Sequence, residues 1–328
     1  MLRCQQTGSH RRPVERACAE LFREVTVSDT KEVYEGIYAA MSTALTAERE
    51  VDHDGLKNIV NNLLDNGCHG LSILGTTGEC NGLRRDQRLE VLEVVLEANA
   101  ARENPGVIMT GAAGTVAVDI IEDLKKMDKP GVVAALVPPP FYYNLDDQGV
   151  IEFYEHLADE SPLPIMMYNI PQTTKVTISP AALEKLAQHR NIMGIKDSSG
   201  NYVGYTHYAR VAKQAPGFTL FTGADGTLFG NLMIGGHGII GGTVNAASAL
   251  EREIFDAYKA GDFAKAADRQ RVLTQVVDVC KIGPGPACYK APHVLRGLCG
   301  GYMTHPLQWL TSDQMERTRK GLNALGVL

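Results

Sequence analysis

Residues 36–74 read GIYAAMSTALTAEREVDHDGLKNIVNNLLDNGCHGLSIL, and the order of apolar groups in them decides the fold. A short apolar run, GIYAAM, is followed by a stretch whose apolar residues Leu56, Ile59, Val60 and Leu63 recur three and four apart, and then by a second run, GLSIL. Period three to four over that length is one face of a helix, and a buried strand on either side of it makes a βαβ unit with parallel strands. An open, doubly wound sheet would carry a glycine fingerprint after its first strand. That position reads Met41-Ser42-Thr43-Ala44, with no glycine.

The same alternation continues along the chain. Candidate strands fall at 36–41, 70–74, 107–111, 132–137, 164–168, 192–196, 219–222 and 238–240, with helical stretches such as Val150, Phe153 and Leu157 between them. Eight strands with a helix after each and no linker predict a closed (β/α)8 TIM barrel over residues 36–258. After residue 259 the strand signal stops, and helical stretches at 263–279, 287–298 and 312–325 predict a three-helix C-terminal appendage over 259–328. Residues 1–35 are polar and Arg-containing, without the apolar segment of a secretory signal, and Glu15, Glu20 and Glu24 set them apart from a mitochondrial presequence. They are expected to form a solvated, flexible arm.

Composition narrows the function. With 44% hydrophobic and 21% charged residues the chain is an ordinary globular one, and its net charge of -6 leaves no excess of cations to neutralise nucleic-acid phosphates. No apolar run reaches the roughly 18 residues of a membrane span. Seven cysteines, odd in number and without CxxC or zinc-finger spacing, suit free thiols in a reducing compartment, so the location expected is cytoplasmic and no metal site is expected.

Chemistry in such a barrel sits at the C-terminal ends of the strands. The sixth strand runs into Lys196, followed by Asp197-Ser198-Ser199-Gly200. A lysine at the inner end of an apolar strand loses hydration, which penalises the ammonium form and favours an amine able to attack a ketone. Taken alone, a lysine closing the strand in solvent and paired with Asp197 is the commoner arrangement. The fifth strand ends in Tyr168-Asn169-Ile170-Pro171, where a tyrosine can relay a proton or can simply be satisfied by a backbone carbonyl. After the second strand, Gly75-Thr76-Thr77-Gly78-Glu79 reads as a loop leading into a helix, whose N–H groups suit a carboxylate or phosphate. A plain turn with a threonine cap is the alternative. The fourth strand ends in a stiff aromatic tip, Pro140-Phe141-Tyr142-Tyr143. Lys290 is the rival lysine, but its setting, Cys288-Tyr289-Lys290-Ala291, is helical and reads as structural.

In succession, GTTGE at 75–79, PFYYN at 140–144, YNIP at 168–171 and GIKDSSG at 194–200 resemble the family of dihydrodipicolinate synthase and N-acetylneuraminate lyase, from residue 36 to the C-terminus. The resemblance implies a class I, Schiff-base aldolase that needs no metal or other cofactor, with Lys196 forming an imine with pyruvate or another 2-oxo acid. Tyr168 would carry the proton of the aldol hydroxyl. Thr77 would link it to a tyrosine from a neighbouring subunit, by motif Tyr142, with Tyr143 the alternative. Backbone N–H groups of Thr76 and Thr77 would hold the carboxylate, and the working unit would be a homo-oligomer, a dimer of dimers.

Departures from the family pattern bear on the substrate. Dihydrodipicolinate synthases place an arginine two residues after the proline of YN-P; this chain has Thr173, which cannot make a bidentate charged contact, and Lys175, close by, is the candidate for a partial substitute. Sialic acid lyases carry a glutamate and a serine where Gly226 and Gly242 stand here. What remains is Thr173, Thr174, Asp225 and Thr243, enough for a few hydroxyls. The expected reaction is reversible cleavage of a 2-keto-3-deoxy sugar acid such as 2-keto-3-deoxygluconate, or of 4-hydroxy-2-oxoglutarate, to pyruvate and an aldehyde. Condensation of pyruvate with aspartate semialdehyde, N-acetylneuraminate cleavage, a dehydratase on the same imine and a catalytically silent barrel are the alternatives.

Overall fold

The computed structural model describes residues 31–328, so Cys4, Cys18 and most of the expected N-terminal arm lie outside the described residues. Strands β1 (Gly36–Ala40), β2 (Gly70–Ile73), β3 (Val107–Gly111), β4 (Val132–Val137), β5 (Ile165–Asn169), β6 (Ile192–Asp197), β7 (Thr219–Thr222) and β8 (Gly238–Gly241) pair in sequence order, all parallel, and β8 closes on β1. The closure depends on glycine at two positions. Gly36 (φ 116°) and Gly238 (φ 150°) face each other across the seam, and a Cβ on Gly238 would overlap the Gly36 carbonyl oxygen.

Period-two alternation then builds two cores. Ile37 and Ala39 of β1 and Ile165 and Met167 of β5 point outward to the helices. Tyr38, Met166 and Tyr168 point inward, where they stack with Met109, Leu136 and Phe221 into the plug that fills the barrel. By this parity Tyr168 belongs to the last inward layer of β5, and Lys196 follows the outward-facing Ile195 on β6.

The helices cover the outer core: α1 (His53–Asp65), α2 (Arg85–Ala100), α3 (Ala117–Met127), α4 (Asp147–Glu160), α5 (Pro171–Thr174), α6 (Pro180–Leu186), α7 (Tyr202–Gln214), α8 (Leu228–Met233) and α9 (Val244–Lys259). Their starts are set locally. Asp52, Asp146 and Asn201 each accept a hydrogen bond from the N–H of a glycine three residues on (Gly55, Gly149 and Gly204, at 3.0, 2.9 and 3.0 Å), the usual N-cap arrangement. Three further helices, α10 (Phe263–Val279), α11 (Gly285–Leu295) and α12 (Ser312–Ala324), follow the barrel, close to the stretches expected from sequence. Residues 31–35, which the sequence places in the arm, are tied to the barrel: Lys31 Nζ donates to the Ala187 carbonyl at 2.8 Å, and Glu35 pairs with Lys259 at 2.9 Å.

Candidate active site

Tyr168 and Lys196 are direct partners in the β5–β6 ladder. Their side chains leave the same inward face at the C-terminal end of the barrel, and Lys196 Nζ lies 4.3 Å from the centroid of the Tyr168 ring, a cation–π distance. Both are almost fully enclosed, at 4% and 5% exposure. The alternative arrangement, Lys196 in solvent and paired with Asp197, is not what forms. Asp197 is next in the strand and therefore on the other face. It accepts from Asn169 Nδ2 at 2.7 Å, Ser199 N at 3.1 Å and Ser199 Oγ at 3.0 Å. Burial raises the Asp197 pKa, and these donors oppose the rise.

A cavity of about 370 Å³ opens beside this pair. Thr76 from the β2 loop, Phe141 from the β4 loop, and Tyr168, Thr173 and Thr174 from the end of β5 and α5 line it. The opposite contribution was not foreseen: residues 304–307, far along the chain in the appendage, form part of the same lining. Lys196 is not among the lining residues; its amine rests against the Tyr168 ring, which is. Of the two threonines at the end of the short helix, Thr174 is the less available. Its hydroxyl is 3.1 Å from both the Ile170 and Val176 carbonyls, so its proton is used by the backbone. Lys175 is turned away, with Nζ donating to the Gln172 carbonyl at 3.0 Å.

The loop after β2 does not lead directly into a helix. Residues 76–79 form a turn, a 3₁₀ turn follows at Cys80–Gly82, and α2 starts only at Arg85. Glu79 N donates to the Thr76 carbonyl at 3.1 Å and Thr43 Oγ1 to the Gly78 carbonyl at 2.8 Å, while the N–H groups of Thr76 and Thr77 have no backbone acceptor among the described residues. Free N–H pairs in a turn can hold a carboxylate without a helix dipole. Thr77 itself is buried, at 8% exposure.

Glu79 holds this loop to the appendage. Its carboxylate is fully buried and pairs with the equally buried Lys290 of α11 at 2.6 Å; its other oxygen accepts from Thr304 N at 2.7 Å and Thr304 Oγ1 at 2.9 Å. Lys290 also donates to the Tyr302 carbonyl at 2.6 Å. A glutamate closing a loop and a lysine inside an apolar helix were both visible in the sequence, but nothing local pairs residues 211 positions apart.

The side of the barrel formed by β7 and β8 carries a different arrangement. Asp225 and Thr243 are buried and do not line the cavity. Asp225 Oδ1 accepts from Thr243 N at 3.0 Å, and the Thr243 hydroxyl has no partner among the described residues. Behind Asp225 stands Glu251 of α9, fully buried, with no nitrogen or hydroxyl donor at either oxygen. Its hydrogen-bonding neighbour is the Asp225 carboxyl, and two carboxyls in contact can bond only if one holds a proton. Burial first, then the Asp225 charge, raises the Glu251 pKa well above its ordinary 4.5.

The sign of the pH effect follows. The folded chain keeps a proton that the unfolded chain releases near 4.5, so the contribution to stability is complete below that pH and is lost as the pH rises toward the folded value. Glu251→Gln keeps a donor and cannot ionise. It is expected to flatten the decline of thermal stability between about pH 5 and 7, and a slope equal to that of the parent chain would contradict the shared proton.

Tyr142 lies on the surface, 85% exposed, at φ 94°, with its ring edge-on to Tyr143 at 5.1 Å. Within one chain it does not reach the cavity, whose aromatic wall is Phe141. Among the described residues no group of three or more His, Cys, Asp or Glu side chains could hold a metal ion.

Comparison with known proteins gives the arrangement its context. A family model, described as the dihydrodipicolinate synthetase family, matches residues 33–325. A 4-hydroxy-tetrahydrodipicolinate synthase from Archaeoglobus fulgidus is 29% identical over 297 residues, covering 90% of this chain and 100% of that protein. The putative 2-dehydro-3-deoxy-D-gluconate aldolase YagE of Escherichia coli is 32% identical over 246 residues, 74% of this chain and 80% of YagE. The solved structure of YagE in complex with pyruvate superposes with a TM-score of 0.85 at 28% identity, covering 90% of this chain and 99% of YagE. The chain belongs to the dihydrodipicolinate synthetase family and is a carbon–carbon lyase on a (β/α)8 barrel.

Proposed function

We propose that the chain is a Schiff-base aldolase that reversibly releases pyruvate from a 2-keto-3-deoxy acid, 2-keto-3-deoxygluconate or 4-hydroxy-2-oxoglutarate. The observation that carries this reading is the stacking of the Lys196 amine on Tyr168, whose ring lines the cavity. The amine attacks the ketone carbon and water leaves, giving a protonated imine. Tyr168 takes the proton of the C4 hydroxyl as it passes its own phenolic proton on to the Thr77 hydroxyl and the relay beyond it, the C3–C4 bond breaks, and its electron pair moves to the imine nitrogen, so an enamine and an aldehyde form instead of a bare carbanion. Protonation of the enamine carbon and hydrolysis return pyruvate and the amine. The unoccupied N–H groups of Thr76 and Thr77 suit the pyruvate carboxylate.

Thr173 on the cavity wall, where an arginine would grip aspartate semialdehyde, argues for the lyase direction over the lysine-pathway condensation. YagE, a putative aldolase of a 3-deoxy sugar acid whose structure holds pyruvate, supports the same choice. The outward, left-handed Tyr142 suits a side chain that completes a neighbour's site, and a dimer of dimers is the assembly proposed. A cytoplasmic location suits the five described cysteines, all free.

The test is a ranking of substrates. Coupled assays should give fastest turnover for one of the two cleavage substrates, and Tyr168→Phe should lower kcat by about a hundredfold or more, the scale of a positioned acid–base group. Faster condensation of aspartate semialdehyde with pyruvate would overturn the reading of Thr173.

A further inference from the structure

One wall of the cavity is the turn 304–307. Glu79 holds its first residue, Thr304, and the turn is closed on itself by the 2.8 Å bond from the Leu307 N–H to the Thr304 carbonyl. His305 stands at the corner of this turn, exposed, lining the cavity, with no hydrogen-bond partner for its imidazole among the described residues. Glu79 also ends the loop whose N–H groups are proposed to hold the carboxylate, so one side chain ties together the β2 loop and the turn that line the cavity.

The rest of the lining limits what that substrate can be. Leu74, Ala112, Leu136, Phe141, Ile170 and Leu307 make most of the wall apolar. Asn81 and Thr173 also line the cavity and can pair a hydroxyl each, but a chain bearing one on every carbon has more than these can take and would press the rest against hydrocarbon, at about 1–3 kcal/mol for each one left unpaired. A short chain with one polar terminus leaves none. No lysine or arginine lines the cavity, since Lys175 bonds back to its own loop, so His305 is the lining side chain able to carry a positive charge to that terminus.

We infer that His305 is a specificity-determining residue that reads the far end of the aldehyde half, and that it selects a compact anionic terminus, as in a 4-hydroxy-2-oxo dicarboxylate, over a polyhydroxylated chain. The inference rests on the imine at Lys196 and deepens the proposed function by choosing between its substrates.

Two ketones of equal length that cannot be cleaved serve as probes. Both 2-oxoglutarate, with a far carboxylate, and 2-oxopentanoate, with a far methyl, can be trapped on the enzyme by borohydride, and intact mass gives the half-saturating concentration of each. The parent chain should be saturated by 2-oxoglutarate at the lower concentration. In His305→Gln the 2-oxoglutarate to 2-oxopentanoate ratio of half-saturating concentrations should rise by about tenfold or more, the scale of a lost charge-assisted hydrogen bond. A ratio unchanged in His305→Gln and in His305→Ala overturns the role of His305. A parent chain that traps neither ketone but does trap pyruvate also overturns the role of His305, and one that traps no pyruvate overturns the imine itself, a separate outcome.

Discussion

Lys196→Ala is expected to lower turnover by at least about 10⁴-fold, the scale on which loss of a covalent nucleophile acts. With pyruvate and borohydride the parent chain should gain the mass of one reduced pyruvate adduct, and the variant should gain nothing. The size of the effect follows from the site. Lys196 is 4% exposed and its amine packs on the Tyr168 ring, so no water-borne amine can replace it, and truncation leaves Tyr168 with no imine to serve. Lys290, the other buried lysine, cannot take over, because Glu79 and the Tyr302 carbonyl hold its amine. Equal labelling of the variant would move the imine to another lysine and with it the whole mechanism.

Glu79→Ala is expected to cost about 3–5 kcal/mol of stability, because it strands the Lys290 ammonium in a fully buried position. Guanidinium unfolding would show this as a lower midpoint with an unchanged slope. The double variant Glu79→Leu/Lys290→Met removes both charges together and should recover most of the loss, as replacement of buried pairs by apolar groups often does. Recovery of stability need not recover activity. Glu79 also holds Thr304, so the stable double variant is expected to trap pyruvate and to have lost its preference among the longer keto acids. A Glu79→Ala midpoint within experimental error of the parent would mean that the pair contributes nothing.

The barrel was legible in the sequence because its signal is periodic: runs such as GLSIL at 70–74 and the spacing of Leu56, Ile59, Val60 and Leu63 are local facts. The neighbouring positions of Lys196 and Tyr168 were legible for a related reason, since each stands next to the C-terminal end of an apolar strand and those ends gather at one mouth of a barrel. The rest of the cavity depended on distance. Residues 304–307 lie in a stretch with neither strand nor helix period, and contacts far apart in sequence, Glu79 to Thr304 (225 positions) among them, bring them over the site. Thr174 and Lys175 looked available as residue types, but short backbone carbonyls nearby occupy the hydroxyl and the amine. Glu251 had no signal at all, being one acid among several on a helix whose buried face became known only when α9 packed against Asp225.

The placement of the 304–307 turn also dictates an order of events during synthesis. A chain growing from its N-terminus makes the β2 loop and then Lys196 long before Thr304 is available, and barrel segments can begin to pair in that interval. Until residues 290–304 have been made, Glu79 has no Thr304 or Lys290 to bind, and the cavity lacks one wall. Lys196 is thus made long before the turn that completes the lining of the cavity beside it, so the pocket forms only after all eight barrel strands are in place.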